Sequence, residues 1–116
     1  MLRTSFVIAL IFAGGVLLAQ EPPAYVLAKI TITDQETYGT YRAGVGNTLQ
    51  QHGGEVLAAS AEPRVLEGEW EATVTVILRF ESRVGALEWY NSDEYQELVR
   101  IRQTASTGDF ILMDGR

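Results

Sequence analysis

Two stretches of this sequence alternate their side chains so regularly that they dictate a β-sheet. In TVTVILRF (73–80), Val74, Val76, Leu78 and Phe80 fall on one face and Thr73, Thr75, Ile77 and Arg79 on the other. That is the period of two a strand imposes, because successive Cβ atoms point to opposite sides. AYVLAKITI (24–32) repeats the pattern, with Val26, Ala28, Ile30 and Ile32 on a wholly apolar face opposite Tyr25, Leu27, Lys29 and Thr31. β-Branched and aromatic residues dominate both stretches, as strands prefer. In each, the second face is mixed rather than polar. A sheet built from them needs full cover on one side and keeps an apolar patch on the other.

Helices supply the cover. TDQE places Thr33 three residues before Glu36, the capping-box spacing, so a helix is expected over 34–52. Its glycines at 39, 44 and 46 each cost about 1 kcal/mol relative to alanine, which leaves tertiary packing to hold it. Turning 100° per residue brings Tyr38, Tyr41, Val45, Leu49 and His52 within an arc of about 80°. Gly53 or Gly54 can then take the left-handed conformation that closes a helix. EVLAAS (55–60) reads as a second strand, and AEPRVLEGEWEA (61–72) as an acidic hairpin excursion, a solvated loop rather than a cation site. Ser82 is expected to cap a helix over 83–91 and Ser92 another from 93, where Asp93 and Glu94 suit the positive helix end. In that last helix Tyr95, Leu98, Val99 and Arg102 share one side while Arg100 points away. Gly108 is expected to end the helical region ahead of a fourth strand, DFILM (109–113).

The resulting order, βαββαβ with its second helix broken near Asn91 and Ser92, is the α+β ferredoxin-like plan: an antiparallel four-stranded sheet with helices on one face. The other face would expose Tyr25, Leu27, Ile77 and Leu57 to water, and a contiguous apolar patch of that kind marks a partner surface. Two such sheets packed face to face form a dimeric α/β barrel, so a homodimer through this face is expected.

Residues 1–19 stand apart from the fold. Arg3 supplies a positive start, and every residue of FVIALIFAGGVLL (6–18) is apolar or glycine, too short for the roughly 20 residues that span a bilayer. This reads as a signal peptide, followed by a linker at 20–23 and a single domain at 24–116. The protein is thus expected to be exported, periplasmic or secreted in a bacterium, with an uncleaved membrane anchor the less favoured alternative. The chain has no cysteine, which excludes disulfides and thiolate metal sites, so the domain is held by packing alone. Removing residues 1–19 takes away Arg3 and no acid, moving the net charge from −6 to −7. Such acidity disfavours nucleic acid and anionic membrane surfaces as partners. So small a domain buries only about 60–65% of its unfolded surface, and self-association adds core.

HGGEVL, RVLEGEW, ALEWYNSDEYQELVRIR and GDFILMDG, in this order and spacing, resemble the domain of unknown function 1330 family of the dimeric α/β-barrel superfamily. The resemblance covers about residues 24–115, and the tract from Trp89 to Arg102 is its most specific part. The chain departs from the pattern where SAE (60–62) replaces a glycine pair, and where prolines common before the equivalents of Ser82 and Tyr95 are absent; these changes bear on loops and caps. The resemblance implies a ferredoxin-like dimer and no particular reaction. Superfamily relatives include cofactor-free monooxygenases, muconolactone isomerases and haem-dependent chlorite dismutases.

The resemblance also implies small-molecule binding between helices and sheet, a region that would collect Tyr38, Tyr41, His52, Trp89, Tyr90 and Arg102. Aromatic walls with a few convergent polar groups are what a small-molecule site requires. His52 could serve as a general base, since imidazole exchanges a proton near neutral pH, or could simply cap the helix end, where the dipole favours it. Arg102 could hold a carboxylate or enolate in a bidentate fork. The alternatives are an ion pair with Glu36, Glu55 or Glu94, or snorkelling of its stem. Trp89 and Tyr90 suit core packing as well as a ligand wall. Lys29 and Arg79, on the opposite face, suit carboxylates across the dimer interface. No cofactor and no metal are expected, although one axial histidine leaves haem formally open. Two functions fit: a binding module for a small apolar or aromatic molecule, and a cofactor-free oxygenase or isomerase using His52 as base and Arg102 as anion anchor.

Overall fold

The computed structural model describes residues 21–116; the expected signal peptide, residues 1–19, lies outside them. The elements run β1 (Ala24–Ile32), α1 (Gln35–Gln51), β2 (Glu55–Ser60), β3 (Val74–Phe80), α2 (Arg83–Asn91), α3 (Asp93–Ala105) and β4 (Ser106–Asp114). The four strands form one antiparallel sheet in the order β2-β3-β1-β4. This is the ferredoxin-like arrangement expected from the element order.

Register explains which side chains are hidden. Ala24, Val26 and Ala28 of β1 lie opposite Phe80, Leu78 and Val76 of β3 and opposite Asp114, Leu112 and Phe110 of β4. These rows face the helices. The alternate rows, Tyr25–Arg79–Met113, Leu27–Ile77–Ile111 and Lys29–Thr75–Asp109, face away. A bulge between Val56 and Ala58 interrupts the β2–β3 pairing. β2 is an edge strand, and Val56 and Leu57 remain exposed.

The helix starts follow from short polar side chains, with one difference from expectation. Asp34, not Thr33, caps α1: its carboxylate accepts from the Thr37 amide (3.1 Å) and hydroxyl (2.8 Å). The amides of Thr33 and Asp34 both donate to the Ala105 carbonyl at the strand-to-helix corner. The bonds from Thr37 hold the Asp34 carboxyl below its ordinary range. Ser82 and Ser92 cap as expected. The Ser92 hydroxyl donates to the Trp89 carbonyl (2.8 Å) and accepts from the Tyr95 amide (3.2 Å), so one residue ends α2 and starts α3. Gly53 closes α1 at a φ of 71°, in the left-handed region that favours glycine.

Gly108 does not end the helical region. α3 stops at Ala105, β4 begins at Ser106 without a loop, and Gly108 lies inside the strand. A side chain there would run into the Lys29 carbonyl of the paired strand. Close strand approach, rather than helix termination, is its reason for being glycine. β3 likewise starts one residue late, because Thr73 contacts β1 through its amide (to Ile30 O, 2.8 Å) and its hydroxyl (from Ile32 N, 2.9 Å).

The core is an aromatic stack on the helix side. Trp89, Tyr95 and Phe80 are fully buried, with ring centroids 4.0 Å apart for Trp89–Tyr95 and 5.3 Å for Phe80–Trp89. The Trp89 indole N–H donates to the Thr48 hydroxyl (3.0 Å), which itself donates to the Val45 carbonyl (2.7 Å). This chain fastens α2 to α1 without an unsatisfied polar group.

Candidate functional site

Where α1 leans on α3, Gly44 faces the Leu98 side chain, and a gap remains between α1 and the β2–β3 side of the sheet. The gap is a cavity of about 250 Å³. Its floor is set by small or β-branched residues, among them Ala28, Val74 and Val76, and its roof by Tyr38, Tyr41 and Arg42 of α1. Phe110 of β4 also lines it. The walls are thus apolar, with polar groups only at the tyrosine hydroxyls and the Arg42 guanidinium.

Each polar group in this region has a definable environment. The buried Tyr41 and Tyr95 hydroxyls share a hydrogen bond of 2.8 Å. Burial above all, then the neighbouring Tyr95, holds the Tyr41 hydroxyl far above the ordinary phenol range. Tyr38 and Tyr95 are raised as well, again chiefly by burial, with the Arg102 charge opposing the shift in both. These phenols stay neutral near pH 7 and act as hydrogen-bonding groups, not as bases. Arg42 lies over the Tyr38 ring at 5.0 Å.

Arg102 is buried, 5% exposed. Its guanidinium carbon stands 4.2 Å from the centre of the Phe110 ring and 5.4 Å from that of Tyr41. The two ion pairs among the described residues, Arg79–Glu55 (3.8 Å) and Arg83–Asp114 (3.0 Å), do not involve it. Pairing with Glu36, Glu55 or Glu94 is therefore not what holds Arg102, and its burial rules out snorkelling to water. Its Nε is a buried donor without a partner.

The other expected site residues are divided. Tyr38 and Tyr41 line the cavity. Trp89 lies in the core, bonded to Thr48, and does not line the cavity. Tyr90 lines a second, shallower space of about 290 Å³ against Ala86, Leu87 and Leu112. His52 sits half-buried at the end of α1 as its C-cap, with its amide bonded to the Leu49 carbonyl (3.0 Å), and lies outside the cavity lining. The stripe that held His52 in phase with Leu49 ends one residue too early, since α1 stops at Gln51. Arg42 and Phe110 went unanticipated. Arg42 follows Tyr38 by one helical turn, and that spacing was a usable signal.

On the other side of the sheet, Arg79 bonds Glu55 within the chain, and Lys29 lies 4.8 Å over the Trp70 ring. The Trp70 indole donates to the Thr75 hydroxyl (2.8 Å), folding the acidic excursion back onto that face. Among the described residues no cluster of His, Asp or Glu could hold a metal ion, and no helix is long and apolar enough to cross a membrane.

The fold is shared with solved structures of low sequence identity. A structural-genomics protein of unknown function from Rhodopseudomonas palustris matches at 20% identity and a TM-score of 0.72, over 91% of this chain and 92% of its own. A putative antibiotic biosynthesis monooxygenase from Caulobacter crescentus matches at 10% identity and 0.62, over 85% and 94%. SnoaB, a cofactor-independent oxygenase from Streptomyces nogalater, matches at 9% identity and 0.58, over 82% and 94%. No curated protein matches the sequence. The family model of the domain of unknown function DUF1330 matches residues 23–116, all but the first two of the described residues, and the chain belongs to that family.

Proposed function

We propose that the protein is an exported homodimer that binds a small apolar or aromatic molecule between α1 and the sheet. The observation that carries this reading is the cavity of about 250 Å³ with aromatic and aliphatic walls and few polar groups. Ligand pockets run from about 300 Å³ upward, so this one suits a compact ring compound. Export is supported by the charge and apolar pattern of residues 1–19. Self-association is supported by the open face, whose central row Leu27–Ile77–Ile111 can meet its own copy across a two-fold axis without opposing charges.

The test is thermal shift and calorimetry with neutral aromatic probes such as menadione and 2-naphthamide, on the protein and on Val76→Phe, which fills the cavity from β3. Micromolar binding lost in a folded Val76→Phe supports the reading; binding unchanged by that substitution places the ligand elsewhere. Light scattering reports the dimer. Subcellular fractionation with N-terminal sequencing reports export, expected to give a mature chain beginning near Gln20.

The alternative, a cofactor-free oxygenase or isomerase, draws on the likeness to SnoaB. The cavity lining holds no carboxylate and no histidine, and His52 lies beyond it, so we adopt binding without turnover. Oxygen uptake or isomerisation of a bound probe by the wild-type protein would reverse that choice.

A further inference from the structure

Resting on that ligand-binding reading, we infer that the molecule taken by this cavity is an acid, whose carboxylate or enolate is held by Arg102 where the Tyr41 and Phe110 rings meet. A guanidinium cannot shed its proton to become neutral, so a buried arginine needs an anion or a full set of acceptors. Arg102 has no acid partner within the described chain and an incomplete set of acceptors: the Tyr95 hydroxyl is within its reach, but its Nε is buried and unpartnered, and both ion pairs are made by other arginines. Contact with the Phe110 and Tyr41 rings offsets part of the desolvation, but aromatic faces accept no strong hydrogen bond from the fork.

Both rings belong to the cavity wall. Arg102 itself lies behind that wall, outside the cavity lining, so the carboxylate meets its guanidinium between the two rings. The lining reinforces the choice. In a chain of net charge −6, the cavity wall has one charged side chain, Arg42, and no acid. A single buried fork of parallel donors matches a planar carboxylate or an enolate oxygen; the apolar remainder of the space matches the hydrocarbon body of such an acid.

Calorimetry of 2-naphthoate against its neutral isostere 2-naphthamide, on the full chain, tests this. We expect naphthoate to bind about tenfold tighter or better, the order of one charge-assisted contact. Arg102→Met should reduce naphthoate to the level of the amide and leave the amide unchanged. Arg42→Ala, which removes the exposed charge of the cavity roof, should weaken naphthoate by less than Arg102→Met does. Equal binding of the two probes by the wild type overturns the inference and leaves the cavity reading standing. So does a naphthoate preference that survives Arg102→Met or disappears in Arg42→Ala. Binding of neither probe overturns both.

Discussion

The two faces of the sheet are built from the same strands and differ by one residue in register. On one, Ala24, Val26, Ala28, Ile30, Leu78 and Phe80 are buried beneath the helices. On the other, Ile77, Met113, Leu57 and Ile111 are 36–50% exposed although as hydrophobic as their neighbours. Single hydrophobic residues therefore do not mark the faces; the wholly apolar rows of β1 and β3 lie under the helices, and the mixed rows, with Lys29, Thr75 and Arg79 among them, stay open. The helix face meets aromatic side chains that interlock around Trp89, leaving the cavity under α1 and the more open space beside Tyr90. The open face meets only the tip of the acidic excursion, where Trp70 covers Lys29.

Adjacent aspartates break this comparison most sharply. Val26→Asp forces an unpaired charge into the helix-side core and is expected to cost on the order of 4–5 kcal/mol, most of the stability of so small a domain. Urea denaturation monitored by circular dichroism measures it. Leu27→Asp, one residue along, is expected to leave a folded chain and to weaken self-association by about 2–5 kcal/mol, seen as a shift to monomer in light scattering. A dimer indifferent to Leu27→Asp would show that the open face is not the interface.

The helix side also predicts how the protein fails in alkali. The hydroxyls of Tyr38, Tyr41 and Tyr95 have raised folded-state values, so the folded chain keeps protons that the unfolded chain releases. Their contribution is complete below the unfolded phenol value of about 10 and is lost as pH climbs beyond it. Each such hydroxyl lowers stability by about 1.4 kcal/mol per pH unit there. Denaturation between pH 9 and 11.5 should show a flat region followed by this fall, with a shallower slope in Tyr41→Phe.

Arg102→Met should raise stability, by about 1 kcal/mol, because replacing a buried ion with an apolar side chain of similar length is often stabilising. An increase in Tm coupled with loss of acid binding is the signature of a charge kept for a ligand rather than for the fold. The smallest effect belongs to His52→Ala, which touches neither cavity nor core. It should change stability by less than about 0.5 kcal/mol and leave naphthoate binding unaltered by calorimetry.

Much of the fold was legible because its signals are local. Strand alternation, the Ser82 and Ser92 caps and the Gly53 closure each depend on a few adjacent residues. Other local signals misled. Thr33 read as the cap of the first helix, but the chain turns into it one residue later and Asp34 takes the role, and Gly108 looked like a helix stop until Lys29 came beside it. The site was legible only in part. Tyr38 and Tyr41 followed from helical phase, whereas Trp89 went to the core and His52 fell past the last turn.

By itself the sequence determined the order of elements, the burial of one sheet face and the membership of Arg102 in an apolar stripe, since each is a matter of backbone period. Only the tertiary structure decided that α1 leans on α3 and leaves a cavity over β3, and that no acid of the chain reaches Arg102. Helix tilt and the meeting of charges depend on side chains tens of residues apart, and no local period records them.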